Sequence, residues 1–190
     1  LGTLTWDGEK LTYTLERAGA HSAPGSAEDN EIKDIFQGIM LKDGYGNLYK
    51  VNAAITVRDD VPDPVFTAES GTIESGDSFS GSLIPNFGAD GKAETGALRL
   101  RVSLPDGEGD TVISLKPGGG EHTVFIKGVR YGSIMVDADG ASYTFIAGNN
   151  LDTSLSLALI ATDSDGDSRE SDAVQIRITA PDGPGDITIG

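Results

Sequence analysis

Asp163, Asp165 and Asp167 alternate with Ser164 and Gly166, so a tight loop can turn three carboxylates onto one point. Positions 1, 3 and 5 of calcium loops use that spacing, and calcium takes about six to eight oxygen ligands. Backbone carbonyls with Asp59 and Asp60, or with Asp137 and Asp139, are at hand to complete such a shell. The alternative is a solvated acidic turn joining two strands. Three like charges at this spacing repel unless a cation neutralises them, which weighs toward metal. Asp59 and Asp60 precede Val61-Pro62, where a divalent ion would lock two modules at a fixed angle. Without an ion, Pro62 and Pro64 alone would stiffen a charged linker there. Asp137-Ala138-Asp139-Gly140 and Asp106-Gly107-Glu108-Gly109-Asp110 read more simply as hairpin turns.

Other chemistries find little support. The chain has 190 residues and no cysteine, which removes disulfides, thiolate nucleophiles and thiolate metal sites. His21 and His122 are the only histidines; neither has a zinc spacing, and glycine- or serine-rich surroundings place both in loops. Ser78, Ser80 and Ser82 lie near glycines, but a nucleophile elbow needs a following helix, and no helical pattern follows. Gly88 to Lys92 lacks the spacing of a phosphate-binding loop. With 14 Lys plus Arg against 30 Asp plus Glu the net charge is −16, which repels nucleic acid and anionic membranes alike. No apolar run approaches the roughly 18 residues of a membrane helix. The expectation is a soluble chain that is no enzyme.

The elements that must carry these loops are strands. Period-2 runs rich in Thr, Val, Ile and aromatics recur at Thr3 to Trp6, Leu11 to Leu15, Ala53 to Val57, Leu98 to Leu104, Thr111 to Leu115, Thr123 to Lys127, Ser133 to Val136, Ser142 to Ile146, Ser154 to Ala161 and Ala173 to Thr179. Asp-Gly and Pro-Gly pairs separate them, and 26 glycines suit many tight turns. Phe79, Gly81 and Leu83 alternate with serines and add another strand. Short strands at this spacing predict an all-β fold, an antiparallel sandwich of the immunoglobulin-like or cadherin-like kind. One stretch competes: Ser26 to Ile39 opens with a capping box and sets Ile32, Ile35, Phe36 and Ile39 at helical spacing, consistent with one short helix.

Sliding the chain along itself exposes a repeat. Gly2-Thr3-Leu4-Thr5-Trp6-Asp7 falls on Gly132-Ser133-Ile134-Met135-Val136-Asp137, and Tyr13-Thr14-Leu15 on Tyr143-Thr144-Phe145. A shorter offset then sets Ile35, Ile39, Asp43, Gly46 and Asn47 on Leu155, Leu159, Asp163, Gly166 and Asp167. The change of offset implies about ten extra residues in the first copy, best placed between Ala18 and Glu31. This pairing favours strand over helix for Ile35 to Lys42. Residues 63–190 then hold one complete repeat, and residues 1–62 the later half of a diverged one. Such a half buries too little surface to stand alone and needs residues 63–190 or another chain against its edges. Trp6, Tyr13, Tyr143 and Phe145 are expected in core or cross-strand contacts. Tyr45 and Tyr49, beside Asp43 and Asn47, are a candidate recognition surface.

In order along the module, Ser78-Phe79-Ser80-Gly81-Ser82-Leu83, Phe87-Gly88-Ala89-Asp90-Gly91, the Asp139-Gly140 hairpin leading to Tyr143-Thr144-Phe145, Ala161-Thr162-Asp163-Ser164-Asp165-Gly166-Asp167 and the terminal Asp59-Asp60-Val61-Pro62 resemble the long tandem repeats of giant type I-secreted RTX adhesins of Gram-negative bacteria. The resemblance covers the second copy nearly end to end and the first from its middle onward. It implies β-sandwich modules strung into an extracellular cell-surface fibre, loaded with Ca2+ after export and used for attachment and biofilm formation. Neighbouring repeats of the same fibre would be the partners. Two departures bear on metal. Ala180-Pro181-Asp182-Gly183 closes the second copy in place of Asp-Asp-Val-Pro, and Asp43-Gly44-Tyr45-Gly46-Asn47 replaces the fuller acidic run. A site at Asp43 and Asn47 is therefore expected to be weak or absent. The alternative function is calcium-dependent recognition of a cell-surface sugar or peptide, motivated by the extra loop at 18–31.

Overall fold

The structure, a computed structural model, describes residues 2–7, 10–16, 31–58, 60–69, 71–88, 90–116 and 118–181. The chain divides into two compact units, Leu1–Val61 and Pro62–Gly190. Among the described residues no helix is long and apolar enough to cross a membrane.

In the first unit, β1 (Gly2–Trp6) and β2 (Leu11–Leu15) form one antiparallel hairpin, and β3 (Glu31–Lys42) and β4 (Leu48–Arg58) a second. A single carboxylate ties the hairpins together. Asp34 Oδ2 accepts from the Gly2 N–H and the Tyr13 hydroxyl, each at 3.0 Å. Tyr13 also meets Phe36 edge-on, with ring centroids 6.0 Å apart. The Gly2 N–H first, then further hydrogen bonding, holds the Asp34 carboxyl below the ordinary carboxylate range. Residues 31–39 are thus strand, which corrects the helical alternative; residues 26–30 lie outside the described residues. The helical spacing has a local cause. Phe36 pairs with Ala53 and Ile39 with Val51, so β3 carries one extra residue, accommodated by Gly38 at φ 73°. The bulge sets Ile39 three residues after Phe36, while Ile35 is an exposed apolar residue of the regular ladder, and together they imitate helical spacing.

The second unit is a two-sheet sandwich. One sheet has the order β10-β11-β12-β7-β5, from Gly120–Ile126, Val129–Val136, Ser142–Ala147, Ser78–Ile84 and Val65–Phe66. The other has the order β6-β15-β13-β8-β9, from Thr72–Glu74, Val174–Thr179, Thr153–Thr162, Leu98–Ser103 and Asp110–Ser114, with β14 (Ser168–Glu170) also on β13. The chain leaves β5 in the first sheet and crosses to β6, which runs parallel to β15 in the second. This strand order, with its crossing first segment, is immunoglobulin-like.

Alternation explains the core. Tyr143, Phe145 and Ala147 of β12 point inward, as do Val124 and Ile126 of β10 and Phe79 and Leu83 of β7. Leu100, Val102, Leu155, Leu157, Leu159, Ile176 and Ile178 meet them from the other sheet. Tyr143 stacks on Phe66 at 4.7 Å and meets Phe79 edge-on at 6.0 Å. Its hydroxyl donates to the Thr67 carbonyl at 2.8 Å, which satisfies the one polar atom this ring buries.

Gly81 makes that crossing possible. A Cβ there would lie 1.9 Å from the Thr67 carbonyl oxygen and 2.7 Å from the Tyr143 ring. Gly81→Ala is expected to lower stability by about 1–3 kcal/mol through overpacking. Gly71→Ala, whose Cβ meets nothing nearer than 3.7 Å, should change it by less than about 0.5 kcal/mol. Urea unfolding of the two variants at equal m-value checks the contrast.

Candidate metal centre

The loop 163–167 joins β13 to β14. At its base Thr162 pairs with Ser168, their hydroxyl oxygens 2.7 Å apart, and Arg99 of β8 donates to Thr162 Oγ1 at 3.1 Å. The loop closes on itself. The Asp163 N–H donates to the Asp167 carbonyl at 3.0 Å, and Asp163 Oδ1 accepts from the N–H groups of Gly166 and Asp167 at 3.1 and 2.8 Å. Gly166 supplies the positive φ, 105°, that this closure needs.

Closure brings Asp163, Asp165 and Asp167 together, each offering an oxygen within 4.8 Å of the others. Oxygens on opposite sides of one calcium ion stand about 5 Å apart, so a single ion can span the cluster. Asp163 and Asp167 are fully buried. Asp163 Oδ2 has no hydrogen-bond donor. Burial first, then the adjacent Asp165 carboxylate, pushes the Asp163 carboxyl up to about 7, against the two backbone N–H groups that favour its charge. A buried carboxylate oxygen lacking a donor is costly unless it is protonated or meets a cation. The donors are all hard oxygens, which suit calcium or magnesium better than zinc or copper.

A second segment holds this loop from the side. The backbones of Lys92 and Asp163 face each other in a single antiparallel β-bridge, the Ala93 N–H donates to the Thr162 carbonyl at 3.1 Å, and the Ser164 N–H to the Gly91 carbonyl at 3.0 Å. The Ser164 hydroxyl reaches the Asp90 carbonyl at 2.8 Å. Sequence reasoning missed this strap, because Asp90-Gly91 is far from Asp163 along the chain and has no ligand spacing of its own.

Asp43 to Asn47 forms the same closed loop in the first unit. The Asp43 N–H donates to the Asn47 carbonyl at 3.0 Å, Asp43 Oδ1 accepts from the Asn47 N–H at 2.9 Å, and Gly46 takes φ 92°. The ladder beside the loop also matches. Met40, Leu41 and Lys42 pair with Lys50, Tyr49 and Leu48, as Ile160, Ala161 and Thr162 pair with Glu170, Arg169 and Ser168. The carboxylate itself differs. Asp43 Oδ1 also takes the Tyr45 N–H, and Oδ2 takes the Asn47 side-chain amide at 2.9 Å and the Tyr49 hydroxyl at 3.2 Å. These bonds, the Asn47 amide foremost, hold the Asp43 carboxyl below its usual range. Its charge is met by neutral donors and calls for no cation.

The remaining candidates fall elsewhere. Asp59 and His21 lie outside the described residues, as does the polar stretch 17–30. Asp60 is half-buried beside Val61 and is not one of the three clustered acids. Asp137 and Asp139 belong to a hairpin turn, where they accept from the Ser142 hydroxyl and the Ala141 N–H. His122 is no loop residue. It lies on β10 with its side chain turned into the sandwich, where burial and then Lys116 hold its imidazole below the usual value. Tyr45 is almost wholly exposed.

No protein-family model matches the chain, and no curated protein matches it. Among solved structures it is similar to the adhesin InvE of Yersinia pseudotuberculosis, at 12% identity and a TM-score of 0.29. The match covers 87% of this chain and 52% of that one, so the chain spans about half of that structure's length.

The raised Asp163 carboxyl fixes the sign of a pH effect. Its folded value near 7 exceeds the ordinary 3.8, so in metal-free protein its contribution to stability is full below about 3.8 and is lost as pH rises through 7. Urea midpoints measured in chelator should fall between pH 5 and pH 8 more for the parent chain than for Asp163→Asn. Parallel pH profiles for the two proteins would contradict this assignment of charge.

Proposed function

We propose that the second unit is a calcium-binding β-sandwich module of a large secreted bacterial adhesin, architectural rather than catalytic, which supports cell-surface attachment and biofilm formation. The observation that carries the metal assignment is the buried Asp163 Oδ2, without a donor, inside a cluster of three carboxylates. The adhesin assignment draws on the order of motifs along the module. Extracellular calcium modules bind at roughly 10⁻⁴ to 10⁻³ M, so the ion would be scarce before export and abundant after it. Metal would then tie the loop 163–167 and its strap at 90–93 into one rigid end of the sandwich.

A second reading, recognition of a sugar or peptide that depends on the same ion, draws on a cavity of about 250 Å3. Phe87, Leu98, Leu115 and Val136 are among its apolar lining, with Lys92 and Asp139 among the polar. Lys92 is also part of the strap on Asp163. Binding to a glycan or peptide array that vanishes with chelator would favour this reading.

Calcium at about ten to a hundred times its dissociation constant adds roughly 1.4–2.7 kcal/mol, on the order of a 5–10 °C rise in melting temperature for a unit of this size. Scanning calorimetry should show that rise, its reversal by chelator and a much smaller effect of magnesium, which demands stricter octahedral geometry. Asp163→Asn and Asp167→Asn should abolish the rise, while Asp43→Asn leaves it intact. Identical melts in calcium and in chelator would end the calcium assignment.

A further inference from the structure

Among the described residues the first unit matches β11 to β14 of the second, without counterparts of β5–β10. Gly2 and Gly132 lie in the same tight place. A Cβ on Gly2 would sit 2.2 Å from the Thr14 carbonyl oxygen and 2.7 Å from the Tyr13 ring, and one on Gly132 would sit 2.3 Å from the Ile146 carbonyl oxygen and 2.9 Å from the Phe145 ring. Tyr13 therefore takes the place of Phe145, two residues along from the Tyr143 that the repeat alignment assigns it. The register agrees. Trp6 pairs with Leu11, whereas Val136 pairs with Tyr143 across a longer turn. A shift by two keeps every side chain on its face.

In this register Trp6, Leu11 and Leu15 occupy the positions of Val136, Tyr143 and Ala147. Trp6 is 59% exposed where Val136 is 3%, and Leu11 is 44% exposed where Tyr143 is 1%. Leu15 is likewise open where Ala147 is buried. In the complete unit Phe66 of β5 and Phe79 of β7 pack on Tyr143, β7 continues the sheet from the edge of β12, and β8 continues it from the edge of β13. Among the described residues β1 with β2, and β3 with β4, remain two-stranded.

We propose that the open apolar face of the first unit, with the free edges of β2 and β3, receives a polypeptide segment of the β5–β10 kind, lying upstream of Gly2 in the same polypeptide. Two features choose this occupant. The face is open at positions that β5 and β7 cover in the complete unit. In that unit the covering strands precede β11 in the chain, so their counterparts precede β1. A second copy of this chain cannot lend its own β5–β10 without opening its sandwich.

The test splices residues 63–131 directly ahead of Gly2, so that Tyr131 is followed by residues 2–190. Trp6 is the only tryptophan and reports the outcome alone. Its emission should move to the blue and its quenching by acrylamide fall several-fold relative to the 190-residue chain. A second splice carrying Trp6→Val, Leu11→Tyr and Leu15→Ala removes any misfit with the donated strands, and its β1–β4 amides should gain protection from hydrogen exchange. Unchanged quenching in the first together with unprotected amides in the second overturns the proposal. So does a concentration-dependent dimer of the 190-residue chain in which Trp6 is already shielded, since that assigns the face to a second copy.

Discussion

Everything at the acidic-loop end of the second unit turns on the electrostatics of one carboxyl group. Asp163 is buried beside the Asp165 carboxylate, its Oδ1 accepts the two N–H groups that close the loop, and its Oδ2 has no donor to meet it. Burial strengthens every charge interaction there, so the group must take up a proton or meet a cation. The strap at 90–93 removes a third escape, because its backbone bonds keep the loop from opening toward water. Rigid β-ladders on both sides thus convert an acidic turn into a site with a definite demand.

The two related loops show how little sequence separates demand from satisfaction. The two loops share the N–H to carbonyl bond from first to fifth residue and a glycine at positive φ. What changes is the donor supply. Asn47 and Tyr49 turn an amide and a hydroxyl onto Asp43, whereas Asp167 and Arg169 stand at the matching positions beyond Asp163, and Arg169 pairs with Asp63 instead. Two loops of like backbone shape can therefore differ in whether the carboxylate they carry is already satisfied by neutral donors.

Strand positions were readable because a half-buried strand alternates, and the acidic loop was readable because its ligands are consecutive in sequence. Less local features were hidden. The repeat alignment of the hairpin is two residues off, since a period-2 pattern scores an even shift as well as the true one, and strand pairing with the crowding at Gly2 and Gly132 separates them. The bulge at Gly38 imitated helical spacing. His122 looked like a loop residue amid glycines, yet Val124 and Ile126 after it continue its alternation and place it on an inward face. The Asp90–Ala93 strap had no sequence signature, because it acts through backbone atoms.

The parallel pairing of β6 with β15 has a mechanical meaning. Near the start of the unit Thr72, Ile73 and Glu74 lie beside Arg177, Ile178 and Thr179 near its end, flanked by bonds from the Arg177 N–H to the Gly71 carbonyl and from the Ser75 N–H to the Thr179 carbonyl, each 2.8 Å. Tension on the polypeptide pulls these two strands lengthwise in opposite directions. The bonds between them are then loaded together in shear and cannot unzip one by one, so the force-driven unfolding rate is set by simultaneous rupture of the whole patch. Strand direction alone makes the unit resist stretching most where the chain begins and ends.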